Sequence, residues 1–153
     1  MPFIERLKFT VLGTLSTTTA PTPYPKENPT QYWFGTRSLP YFTRLRPLWY
    51  RWDEAKGDFI KIIPLKLVIK YFDAITLAFW IMGDGYWDTD QATILLCTEN
   101  FTHAEVAALI ELLRSKEGIV ATPRKRGSNL RIRISSRSID LLRRLVRPHM
   151  HPA

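Results

Sequence analysis

Only one cysteine, Cys97, occurs in 153 residues, so no disulfide can close within the chain, and the residue reads as a small apolar side chain in a strand-like run. Histidine is nearly as scarce: His103, His149 and His151 lack the spacing of zinc ligands with Cys97, and the last two lie in a tail, which argues against a Cys/His metal centre. Long apolar runs are missing too. The N-terminal MPFIERLKFTVL carries charges inside its apolar stretch and so lacks the core of a secretory signal, while Phe59 to Gly83 is broken by Lys61, Lys66, Lys70 and Asp73. No membrane partner is expected. Acidic residues are the third scarcity: 22 Lys and Arg face 14 Asp and Glu, a net charge of +8. From Arg124 to Arg147 the imbalance sharpens, with Arg124, Lys125, Arg126, Arg131, Arg133, Arg137, Arg143, Arg144 and Arg147 against Asp140 alone. Such a segment favours a polyanionic partner through phosphate neutralisation and counterion release.

What is present suits a folded domain of ordinary size, with 45% hydrophobic and 24% charged residues. The stretch that organises the rest is TLAFWIMGDGYW, Thr76 to Trp87. Ala74 to Met82 has neither Pro nor Gly and is expected to be helical, with Gly85 in the left-handed conformation that often closes a helix. Asp84 then sits at the helix C-terminus, where a carboxylate is unhelpful to the helix because unpaired carbonyls already carry partial negative charge. Beside those carbonyls it makes a good site for a hard divalent cation such as magnesium, which prefers carboxylate, water and phosphate oxygens.

The remaining periodicities place the other elements. Ile4, Leu7, Val11 and Leu15 recur at helical spacing. Ser16 to Thr30, with four prolines, reads as loop or strand edge. Gln31 to Thr36 alternates like a strand, Ser38 is positioned to cap a helix over Leu39 to Tyr50, Asp53 to Asp58 reads as a polar connector, and Phe59 to Pro64 as an extended segment. Tyr86 to Thr98 is expected to be a hairpin turning at Asp88 to Gln91. Thr102 and Glu105 have the spacing of a capping box before a helix with Val106, Leu109, Ile110 and Leu113 inside, which Gly118 closes. A second hairpin follows, Ile119 to Lys125 and Leu130 to Ser135, and Ser138 is expected to cap a last helix that stops before Pro148.

Leu77 to Gly85, LAFWIMGDG, resembles the nine-residue signature of the LAGLIDADG homing endonucleases, most like the organellar intron-encoded members. The order from Phe72 onward, helix, strand, strand, helix, strand, strand, helix, is that of one αββαββα half of this α+β family. The resemblance implies a site-specific double-strand DNA endonuclease in which strands form a saddle over DNA and two signature helices pack side by side. Each helix offers one aspartate to Mg2+ or another divalent cation at the scissile phosphates. It assigns Asp84 and the Gly83 carbonyl to the metal, and Ala78, Phe79 and Gly83 to the interface between the helices, with Phe79 standing where the signature has glycine. It nominates Glu99 and Lys125 as the polar and basic residues near the reacting phosphate. Mitochondrial residence, or plastid, follows from the resemblance alone.

An internal repeat supports a second, partial half. Phe34 to Leu48 aligns without gaps on Ile134 to Pro148, matching Arg37 with Arg137, Ser38 with Ser138, Arg44 with Arg144 and Leu45 with Leu145. The expected organisation is therefore a partial first half over residues 1–52, a connector over 53–70 and a complete second half over 71–153. No second Asp ends an apolar helix between glycines. A partner for Asp84 is expected from upstream residues or from a second copy of the chain.

Alternation in Leu130 to Ser135 turns Arg131, Arg133 and Ser135 away from the helices, toward DNA. The repeat puts Gln31 and Trp33 on the equivalent face of the first half, and Arg124, Lys125 and Arg126 complete the expected DNA contacts, through bases or phosphates. The alternative reading is a non-cleaving protein of the same fold, such as a maturase gripping intron RNA.

Overall fold

The apolar run from Ala74 becomes a helix that ends on Asp84 and passes directly into a strand. The computed structural model describes residues 2–150, and the chain divides into a first unit ending at Arg46 and a second, Pro47–Met150. His151, weighed above with the other histidines, lies outside the described residues.

In the first unit the expected amphipathic α-helix over Ile4–Leu15 is not one regular helix. A short α1 (Pro2–Glu5) widens into π-helical turns over Arg6–Val11 and tightens to a 3-10 turn over Gly13–Leu15. The reason lies in Lys8. Its side chain is fully buried, with the ammonium donating to Ser16 Oγ at 3.1 Å, Thr17 O at 2.6 Å and Thr17 Oγ1 at 2.8 Å. A buried cation must be hydrogen-bonded or neutralised, and satisfying this one overrides helical regularity. The proline-rich segment supplies β1 (Thr22–Tyr24), antiparallel to β2 (Gln31–Trp33). Then comes α2 (Pro40–Trp49).

The second unit begins with a difference from expectation. The polar stretch over residues 53–58, expected to be a connector, is instead the turn of a hairpin, β3 (Tyr50–Asp53) and β4 (Asp58–Lys61), pairing Tyr50 with Lys61 and Trp52 with Phe59. Asp53 Oδ1 accepts from the backbone N–H groups of Ala55 and Lys56, a side-chain turn that makes a polar stretch reverse direction. Next come α3 (Leu65–Tyr71) and α4 (Ala74–Asp84). Asp73 caps α4 by accepting from Thr76 N at 2.8 Å.

β5 (Gly85–Asp88) and β6 (Thr93–Leu96) form the expected hairpin, and α5 (His103–Glu117) starts at the full Thr102–Glu105 capping box and ends at Gly118, φ +68°. β7 (Ala121–Arg126) and β8 (Asn129–Ile134) form the second hairpin, followed by a 3-10 turn and α6 (Ile139–Val146). Ser138 does not cap α6: its hydroxyl accepts from Val120 N at 3.0 Å, tying the last helix to the chain just ahead of β7. Strands run antiparallel in the order β5-β6-β8-β7. One face of this sheet, through Leu96, Ile132, Ile134 and Ala121, joins Leu77, Ala78 and Ile81 of α4, Val106 and Leu113 of α5, and Leu142 of α6 in one apolar core. The opposite face is left for function.

Candidate nucleic-acid interface and metal site

Strand register decides which side chains share the open face. Directly paired residues in an antiparallel sheet point the same way, and their neighbours two along follow them. Tyr86 pairs with Leu95, Leu95 with Arg133, and Arg133 with Thr122; Arg131 pairs with Arg124. The face therefore carries Tyr86, Asp88, Arg133, Arg131, Arg124 and Arg126. Leu95 is buried yet lies outside the helix-side core, covered from this side. Lys125 pairs with Leu130, which packs on the core, so it belongs to the other face, on the edge strand farthest from β5. That corrects its nomination beside Asp84: three adjacent basic residues in a strand cannot all face one way.

Arg131 and Glu99 form a linked pair, not two separate site residues. The guanidinium of Arg131 donates through Nε to Glu99 Oε1, its NH1 donates to Tyr86 Oη at 2.9 Å, and it lies 5.3 Å from the centre of the Tyr86 ring. Only 18% of the Arg131 side chain and 25% of that of Glu99 are exposed. Burial acts to raise the Glu99 carboxyl, but the Arg131 hydrogen bond and charge outweigh it and hold the group below the usual glutamate value. Arg124 is paired more loosely, 3.3 Å from Asp88. Among the described residues Arg133 has no carboxylate within ion-pair distance. Ser135 is half-buried and donates its backbone N–H to Val120 O at 2.8 Å. In the first unit, Gln31 and Trp33 are exposed on one face of β2.

At the end of the sheet, Asp84 is the last residue of α4 and exposed, and its carbonyl accepts from Cys97 N at 2.9 Å, which locks the helix end to the hairpin. Gly85 is not left-handed: at φ −91° and ψ 147° it is already extended. Its smallness serves another purpose, since a Cβ there would sit 2.5 Å from the Ile81 carbonyl oxygen. Gly83 is exposed with open space where a side chain would be, Phe79 is half-buried, and Ala78 is fully buried in the core, which removes it from any outer helix contact. Asp84 lines an apolar cleft of about 330 Å³ together with Phe79, Trp80, Phe101 and Lys61.

The oxygen donors at this helix end are one carboxylate and backbone carbonyls, a set that suits a hard cation completed by water and phosphate. Among the described residues no group of three His, Cys, Asp or Glu side chains converges on a metal. Sequence reasoning missed Tyr86, Asp88 and Lys61. The first two were legible from the parity of β5, whereas Lys61 was hidden in a segment read as apolar and extended.

This arrangement, a signature-like helix ending in aspartate beneath the edge of a basic antiparallel sheet, is the fold of the homing endonucleases. It superposes on the solved structure of the homing endonuclease I-WcaI bound to its DNA recognition sequence, with a TM-score of 0.57 at 19% identity, over 96% of this chain and 82% of that one. The sequence matches the LAGLIDADG DNA endonuclease family over residues 8–142, and the chain belongs to that family. Relatives include probable intron-encoded DNA endonuclease 3 of Mycosarcoma maydis, 26% identical over 79% of this chain and 88% of the relative. Another is intron-encoded endonuclease ai4 of Dictyostelium discoideum, 30% identical over 80% of this chain and 74% of the relative.

Proposed function

We propose that the chain is a site-specific DNA endonuclease that grips duplex DNA on the open face of the β5–β8 sheet and hydrolyses it at Asp84. The observation that carries this reading is the junction itself: Asp84 ends α4, and its backbone is bonded to the strand neighbour of Leu96, at the end of the sheet that carries Arg131. A divalent cation bound there, with magnesium the natural choice for such oxygens, would activate water and stabilise the leaving oxygen. Asp84, with the Gly83 carbonyl, would hold it. Arg133, Arg126 and Arg124 hold the DNA. The names of the relatives favour cleavage over the RNA maturase reading. A second aspartate comes from another signature helix, in a second copy or in residues outside this sequence, because one carboxylate leaves metal and phosphate charge poorly compensated.

The test is a plasmid-cleavage assay with magnesium or with chelator, using the chain and its Asp84→Asn variant over a range of protein concentrations. Asp84→Asn is expected to keep fold and DNA binding and to abolish cutting, since the amide preserves shape but not the charge that holds the cation. Cleavage that survives the substitution removes Asp84 from the mechanism. Robust magnesium-dependent cutting by a strict monomer overturns the requirement for two helices.

A further inference from the structure

The basic segment from Arg124 to Arg147 is only half absorbed by the open face of the sheet, which takes Arg124, Arg126, Arg131 and Arg133. Its other arginines lie past the sheet, on and around the last helix. Arg143 and Arg144 belong to α6, Arg147 follows it and Arg137 precedes it, and all four are exposed. With about 3.6 residues per turn, Arg143, Arg144 and Arg147 fall within about 100° of arc, on the side away from the buried Ile139, Leu142 and Val146. From Arg137 to Arg147 the row extends roughly 15 Å, over which one strand of duplex DNA presents about four phosphates. Trp87 joins them from the back of β5: it pairs with Ile94, which packs on the helix-side core, so it points away from Tyr86 and the open face. Its ring is 45% exposed, and the Arg143 guanidinium lies 5.8 Å from its centre. Asp140 alone opposes this charge, 3.5 Å from Arg143 with 84% of its side chain exposed, a pair too solvated to neutralise the patch. Among the described residues Arg137, Arg144 and Arg147 have no carboxylate within ion-pair distance.

We propose that α6 and the back of β5 form a second DNA-binding surface, by which one molecule holds a second duplex behind the one on its open face and bridges the two. Arginine suits phosphate because its planar fork can donate two parallel hydrogen bonds to one phosphate group. The Trp87 ring orients Arg143 without cancelling its charge, which stays available to the phosphate. The apolar core lies between the two surfaces, so a single straight duplex cannot lie on both. This inference rests on the DNA-binding part of the reading above and needs no chemistry at Asp84.

The experiment loads the whole chain, in chelator, onto an immobilised duplex that the wild-type protein has recovered from a randomised pool. Unbound protein is washed away, and capture of a second, fluorescent duplex is measured across a salt series. Two copies joined through their signature helices complete one saddle for one duplex, so capture reports on the back surface. Wild type is expected to capture the second duplex, and the triple variant Arg143→Gln, Arg144→Gln, Arg147→Gln to lose at least about tenfold in capture, with a slope against log salt lower by roughly 0.9 for each phosphate contact removed. Affinity for the immobilised duplex should stay within about twofold, because no phosphate contact on the open face is lost. Asp140→Asn should instead strengthen capture, and this single exposed change keeps the test decisive where the triple variant fails to fold by circular dichroism. Wild type that holds the first duplex but captures no second one overturns the proposal and leaves the open-face reading standing. Equal capture by the triple variant overturns it too, as does an equal loss of both duplexes, which would make α6 part of a single DNA surface. Single-stranded RNA that displaces the second duplex at lower nucleotide concentration than duplex competitor overturns it in favour of an unpaired strand stacked on Trp87. Wild type that recovers no duplex from the pool sinks the DNA-binding reading and the bridge with it.

Discussion

Arg131 and Arg133 sit two residues apart on one strand face, yet their surroundings give them different work. Arg131 spends its guanidinium on Glu99 and Tyr86, so its edge is no longer free for a bidentate contact with guanine. Arg133 retains that freedom. Arg133→Ala is expected to cost roughly 1–3 kcal/mol against a preferred duplex and to relax specificity at a single base pair. Arg131→Ala should instead weaken binding to all sequences, because it uncovers the Glu99 carboxylate on the face that meets phosphate. Competition binding with a panel of single-base variants separates the two patterns. Adding Glu99→Gln to Arg131→Ala should recover most of the loss, and a double-mutant cycle without coupling would contradict the pairing.

At the scale of elements, the N-terminus of α5 fastens two parts of the second unit through one carboxylate. Glu105 accepts from Thr102 N at 2.8 Å in the capping box and from Ile63 N at 2.8 Å, forty-two residues away in sequence. Burial acts to raise its pKa, but the N–H groups of Ile63 and Thr102 outweigh that and hold it below the usual value. A carboxylate depressed in this way contributes stability above its unfolded pKa, near 4.5, and loses it as pH falls through the lower folded value. Glu105→Ala is expected to cost roughly 1–3 kcal/mol at neutral pH, since it orphans a part-buried N–H and the cap together. Denaturant titrations from about pH 7 to about pH 3 should show the gap between wild type and Glu105→Gln narrowing only in the acid range. A gap that stays constant into that range would show that charge on Glu105 is irrelevant to the anchor.

For the whole molecule, net charge and its placement set the response to salt. With several basic side chains against phosphate, duplex affinity is expected to fall at least about a hundredfold between roughly 50 and 200 mM monovalent salt. Fluorescence anisotropy across that range is sufficient, and a flat response would mean that the open face does not hold DNA through its charges. No helix among the described residues is long and apolar enough to cross a membrane.

Local chemistry carried far in this chain. The apolar run ending on Asp84, the Thr102–Glu105 box, the left-handed Gly118 and the alternation of β8 each declare themselves within a few residues, because helix period, cap geometry and strand parity are short-range properties. The family resemblance could be read from nine residues for the same reason. Other features were decided by tertiary structure. Lys8 broke the first helix because its ammonium had to find buried partners on Ser16 and Thr17. The supposed connector became a hairpin once Trp52 met Phe59 across the strands. Gly85 kept its smallness but not its expected conformation, since the helix runs straight into a paired strand. Where the basic residues lie depended on register and on ion pairs: Arg131 with Glu99, Lys125 turned to the other face, Lys61 brought to the cleft of Asp84. Pairing between side chains distant in sequence is a property of the folded chain, and no local pattern encodes it.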